Sequence, residues 1–134
     1  IQRPTNTRAR LIWNKQVQGM GDVKLPWAPA EEEIYILGTG FQGDRSGNVL
    51  SHQMYMSADA RRPDHPTPKP VGLMEALIEK CPPGAVADPF AGSGATLIAA
   101  RNLGRRAIGV ELEEKYCEII AKRLQQGAFD FATL

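Results

Sequence analysis

The stretch richest in chemistry is Asp88-Pro89-Phe90-Ala91-Gly92-Ser93-Gly94-Ala95-Thr96. A short apolar run, Ala85-Val86-Ala87, feeds it, and an apolar helical pattern follows it. The order is strand, tight glycine turn, helix. Glycines at 92 and 94 let a ligand approach the backbone without meeting a Cβ. The unpaired N–H groups and the dipole at the helix start favour a negatively charged group there. Glu111 stands 19 residues after Gly92, at the end of the next expected strand, Ala107-Ile108-Gly109-Val110-Glu111. In a doubly wound sheet that position puts a carboxylate beside a nucleoside ribose. Asp88 opens the turn with a negative charge, which suits a ligand amino group better than a pyrophosphate. A ligand with an amino acid at one end and a ribose at the other is S-adenosylmethionine.

Other chemistries fit less well. A dinucleotide fingerprint would carry a third glycine at position 97, where Leu97 stands, so a nicotinamide-dependent oxidoreductase is disfavoured. A phosphate loop of the Gly-x-x-x-x-Gly-Lys-Ser/Thr kind is absent. His52, His65, Cys81 and Cys117 have no zinc-ligand spacing, so no metal is expected. Cys81 and Cys117 fall on expected apolar helix faces, where thiols are inert. Trp13 and Trp27 are large enough to stack on a base, although such residues more often fill cores or interfaces.

The elements that must position these residues lie mostly in the second half. Met74, Leu77, Ile78 and Cys81 recur at helical spacing after Pro70, and Pro82-Pro83-Gly84 ends that helix. A second helix is expected from Ala95 to Leu103, stopped by Gly104. A third carries Tyr116, Ile119, Ile120 and Leu124 and is closed by Gly127. Helix alternating with strand implies parallel pairing through right-handed crossovers. The first half holds two short apolar runs that fit strands, Arg10-Leu11-Ile12-Trp13 and Glu33-Ile34-Tyr35-Ile36-Leu37. Residues 38–64 are irregular and polar, which predicts a long loop or small insertion.

With 134 residues, 43% hydrophobic and 23% charged, the chain suits one globular domain or part of one. No run approaches the roughly 18 apolar residues of a membrane span, so no membrane partner is expected. Two cysteines are too few for a disulfide framework and read as reduced thiols of an intracellular protein. The net charge is only +1, but residues 1–30 carry five basic residues and one acid. Such a stretch could meet phosphates, but taken alone it is more often a solvated face.

Taken together, His65-Pro66-Thr67-Pro68-Lys69-Pro70, the Asp88–Thr96 turn and Gly104-Arg105-Arg106-Ala107-Ile108-Gly109-Val110-Glu111 resemble the cofactor half of the DNA amino-methyltransferases. These enzymes methylate N6 of adenine or N4 of cytosine. The motif order is similar to that of their circularly permuted beta class. The resemblance is strongest over residues 65–125. It implies an α/β, Rossmann-like S-adenosylmethionine-dependent methyltransferase fold with a mostly parallel sheet. Residues 1–37 would be strands of that sheet, 38–64 a loop or short target-recognition insertion, and 65–134 the S-adenosylmethionine-binding region.

Carried over residue by residue, the resemblance assigns Asp88 to the methionine amino group and Glu111 to the ribose. Phe90, Gly92 and Gly94 would line the cofactor. Ser93 and Thr96 would bond the methionine carboxylate or steady the turn. His65, Thr67 and Lys69 would close the methionine end, with Lys69 on the carboxylate, and Leu112 would flank the adenine. The family's catalytic motif, Asp or Asn followed by Pro-Pro-aromatic, does not occur in these residues. In this motif order it belongs upstream of Ile1, so an N-terminal segment or a partner chain would have to supply it. Double-stranded DNA is the implied substrate, with phosphates meeting the basic N-terminal residues and Arg61-Arg62. A homodimer and a cytoplasmic, bacterial or phage setting are compatible with the resemblance. The rival expectation is a non-catalytic or regulatory half that binds S-adenosylmethionine or DNA.

Overall fold

A computed structural model of the chain describes residues 2–130. The chain forms two units. One holds the residues up to Met54 together with Lys80–Pro82; the other holds Tyr55–Glu79 and the residues from Pro83 onward.

The first unit is built on three strands, β1 (Ala9–Asn14), β2 (Glu31–Ile36) and β3 (Val49–Ser51), in the order β2-β1-β3. β1 pairs antiparallel with β2, from Ala9↔Ile36 to Asn14↔Glu31, and parallel with β3. The connection across residues 15–30 contains no helix, so the chain turns back beside itself rather than crossing over. β3 lies within the stretch expected to be loop. Its three residues are too few for an alternating pattern to register. Its place is fixed by the Ile12 N–H donating to the Asn48 carbonyl at 2.8 Å and the His52 N–H to that of Asn14 at 3.1 Å. Trp13 is the core of this unit at 2% exposure, with its indole N–H on the His52 carbonyl at 2.7 Å. Trp27 is exposed.

The second unit contains α1 (Val71–Ile78), β4 (Val86–Asp88), α2 (Ala95–Asn102), β5 (Ala107–Gly109) and α3 (Glu114–Asp130). β4 and β5 pair in parallel, Val86↔Ala107 to Asp88↔Gly109. The crossover logic therefore holds here. Among the described residues the sheets are mixed, one of three strands and one of two, which corrects the expectation of a mostly parallel sheet. α1 ends three residues before Cys81, which itself precedes Pro82 and is therefore disfavoured in the helical region. Cys81 is thus half-buried outside the helix, and Cys117 is exposed, so neither is a buried helix-face thiol. α3 continues through Gly127 instead of stopping there. One glycine lowers helix stability by about 1 kcal/mol, which a 17-residue helix tolerates.

Two apolar clusters hold this unit. Ile78 of α1 meets Ala99 and Ala100 of α2, both fully buried, with Met74, Val86 and Ala107 around them. Ala91, Leu97 and Ile120 form the second and bring α3 onto the turn. Small residues set the spacing. A Cβ on Gly109 would stand 2.6 Å from Leu97 Cδ1 and 3.1 Å from the Ala91 Cβ, so a side chain there would force Leu97 to move. A Cβ on Gly94 would stand 2.9 Å from Ile120 Cγ1, and Gly94 has φ +85°.

Gly94→Ala should therefore destabilise the fold by about 2–4 kcal/mol, from the Ile120 overlap and the left-handed backbone. Denaturant unfolding of the single and double variants with Ile120→Ala checks this. The pair should be less damaging than the sum by at least about 1 kcal/mol. Strict additivity would mean Ile120 is not the obstacle.

Candidate functional site

The two parallel strands end side by side, and pairing continues past them. The Val110 N–H donates to the Asp88 carbonyl and the Ala91 N–H to the Val110 carbonyl, both at 2.9 Å. Asp88 Oδ1 accepts the Phe90 N–H at 3.0 Å, an Asx-type turn that starts the glycine segment. Gly92, at φ +53°, then brings the chain under His65. A Cβ there would meet the imidazole Nε2 at 3.2 Å.

Glu111 closes the other side. Its Oε2 accepts the Gly92 N–H at 2.8 Å and its Oε1 the Glu113 N–H at 2.9 Å. The Glu113 N–H is the main cause of a Glu111 pKa below the ordinary carboxylate value; desolvation opposes it, and the Gly92 N–H and His65 add to it. Each carboxylate oxygen has a second lone pair, so accepting ligand hydroxyls remains open to it.

His65 is fixed on three sides. Its Nδ1 accepts the Thr67 N–H at 3.1 Å, which leaves the proton of the neutral ring on Nε2, beside Gly92. Its ring lies 4.5 Å from that of Tyr116, tilted by 56°. Arg62 donates to the carbonyls of His65 and Pro66, both at 2.9 Å. Burial pushes the His65 pKa down; Glu111 opposes this, and the charges of Arg62, Lys115 and Lys69 reinforce it.

These pieces surround one cavity of about 450 Å³. Nine of the eleven candidate residues line it: His65, Thr67, Lys69, Asp88, Phe90, Gly92, Ser93, Thr96 and Glu111. Gly94 is not among the lining residues, although its neighbours Ser93 and Ala95 are, and a Cβ on it would meet Ile120. Leu112 also lies outside it, 93% exposed. Met74 and Tyr116 line the cavity too and were legible only as apolar helix positions. The half-buried ring of Tyr116 packs against His65 at the cavity wall.

The basic residues suggested for phosphate contact are partly engaged already. Arg10 pairs with Glu33 at 2.6 Å, Lys15 with Glu32 at 2.8 Å and Arg61 with Asp59 at 3.0 Å.

A family model described as DNA methylase matches residues 12–122, most of the chain. The chain belongs to the N6/N4 DNA methylase family. Among its relatives, the type II methyltransferase M.ScaI of Streptomyces caespitosus is 38% identical over 73 residues, covering 53% of this chain and 24% of that protein. The solved complex of M1.HpyAVI with SAM superimposes with a TM-score of 0.65 at 26% identity, over 87% of this chain and 61% of that one. The cytosine-N4-specific PvuII DNA methyltransferase superimposes with a TM-score of 0.67 at 18% identity, a likeness of fold. The chain matches 24% to 32% of the length of three such curated methylases. Its fold is thus the α/β fold of S-adenosylmethionine-dependent methyltransferases, with mixed sheets. Among the described residues, no helix is long and apolar enough to cross a membrane.

The titration of His65 has a readable sign. Its pKa is lowered on folding from about 6.5, so the folded state binds fewer protons than the unfolded state just below that pH. The associated stability is complete above pH 6.5 and is lost as pH falls through the lowered folded value. Melting temperature should therefore drop as pH falls from 7 toward 5. In His65→Asn, whose Oδ1 can still accept the Thr67 N–H, the dependence should flatten above pH 5. An unchanged slope would assign the titration elsewhere.

Proposed function

We propose that this chain binds S-adenosylmethionine in the cavity at the ends of β4 and β5. We further propose that it is the cofactor-holding part of an enzyme that methylates the exocyclic amine of adenine (N6) or cytosine (N4) in double-stranded DNA. The observation that carries the reading is the pair of acids, Asp88 and Glu111, flanking the glycine turn on one cavity. The cavity volume lies within the range of small-molecule sites, roughly 300–1,000 Å³. The donor set fits the two ends of the ligand. Asp88 would take the methionine ammonium, Lys69 and the start of α2 its carboxylate, and Glu111 the ribose hydroxyls. Phe90, 88% exposed at the cavity, offers an apolar face to the remainder.

S-adenosylmethionine would bring an electrophilic methyl group to this end of the sheet. The residues here would bind and orient it, and the extruded base would need stacking and edge hydrogen bonds from other residues. The absence of an Asp/Asn-Pro-Pro-aromatic motif from these residues favours a second reading, a non-catalytic half that binds the cofactor or DNA. Transfer of labelled methyl groups to duplex DNA by this chain would exclude that second reading.

Calorimetric titration with S-adenosylhomocysteine tests the site. Asp88→Asn and Glu111→Gln should each weaken binding by about tenfold or more, as expected for a lost charge-assisted hydrogen bond. Lys69→Ala should weaken S-adenosylmethionine by a similar factor and leave its decarboxylated analogue within about twofold. Wild-type affinity in both acid variants would remove the site assignment. Equal losses for the two ligands would place Lys69 away from the carboxylate.

A further inference from the structure

Ser93 sits between two glycines of positive φ, Gly92 at 53° and Gly94 at 85°. Glycine lacks the Cβ that normally restricts backbone rotation, so sterics alone leave the peptides around Ser93 weakly oriented. Hydrogen bonds must orient them instead. One is local, from the Gly94 N–H to the Ala91 carbonyl at 2.7 Å. The other comes from 30 residues away in the chain: Arg123 Nη1 on α3 donates to the Ser93 carbonyl at 2.5 Å.

Arg123 is itself held. It is half-buried and lies outside the cavity lining. Burial pushes its pKa down, and the nearby Tyr55 opposes this. Its own carbonyl, and that of Leu124, accept from Arg101 of α2 at 3.4 and 2.8 Å. The two arginines thus tie α2, α3 and the turn together in both directions. An arginine stays cationic at any working pH, so this support does not titrate away.

We propose that Arg123 is a positioning residue for the amino acid end of the cofactor. By engaging the Ser93 carbonyl, it keeps that oxygen from turning toward the carboxylate of the bound ligand. Ser93 is 4% exposed and lines the cavity, so a rotated peptide there would set a carbonyl dipole against a negative charge in a partly dry site. The ribose end, held by Glu111, would not feel the change. This inference rests on the S-adenosylmethionine reading, and its signature is a loss confined to one end of the ligand.

The test compares two ligands on the full chain. S-adenosylhomocysteine carries the amino acid end; 5′-methylthioadenosine carries the nucleoside without it. Arg123→Met should weaken S-adenosylhomocysteine by about tenfold or more. It should leave 5′-methylthioadenosine within about twofold of wild type. Arg123→Lys, which keeps one donor for the carbonyl, should recover part of the loss. If Arg123→Met does not fold, Arg123→Gln, which stays polar but is too short to keep the guanidinium contact, provides the same comparison. Unchanged binding, or equal losses for both ligands, would overturn the proposal. Failure of the wild-type chain to bind either ligand would instead overturn the cofactor reading.

Discussion

The contact between the Glu111 carboxylate and the Gly92 N–H organises the cavity at the ends of β4 and β5. It ties the end of one parallel strand to the turn that follows the other. It adds to the Ala91–Val110 backbone bond, which joins the same turn to the residue after β5. The same carboxylate also accepts the Glu113 N–H, which sets the approach to α3. One side chain therefore fixes the glycine turn and the entry of the last helix. The cost is that Glu111 must remain ionised, and its lowered pKa reflects that it does so readily.

Packing enforces the same geometry from below. Gly109 lets Leu97 lie against β5, and Gly94 lets Ile120 lie against the turn. The third glycine that a dinucleotide motif would place on the helix is replaced by Leu97. The space it would have left is supplied from the strand side, at Gly109. The close approach of helix to sheet is thus retained while the glycine moves to the partner element. This explains how the turn departs from the dinucleotide pattern without a looser fold.

The second unit was largely legible because its signals are local and periodic. Pro70, the glycine turn and the apolar spacing of Ala95–Leu103 mark element starts and faces directly. Asp88 and Glu111 were legible because strand ends followed by a turn expose a polar side chain. Three things were not legible. β3 is three residues long and is defined only by its partner, β1. The antiparallel sense of β1 and β2 depends on what the connection between them lacks, which propensity does not report. Tyr116 lines the cavity from α3 and Arg123 bonds the Ser93 carbonyl from the same helix, and helical spacing reads the same whether such residues support a cavity or a core.

Phe90 has a thermodynamic consequence that its place in the fold does not suggest. It lines a cavity that also holds charged groups, yet 88% of it faces water. Covering an aromatic side chain removes roughly 150–250 Å² of surface from solvent. Apolar surface carries about 0.45 cal/mol/K of hydration heat capacity per Å². Any ligand that settles on this ring should therefore bind with a negative heat-capacity change, about 0.07–0.1 kcal/mol/K from Phe90 alone. The heat released on binding would then grow with temperature, even though most groups lining the cavity are polar or charged.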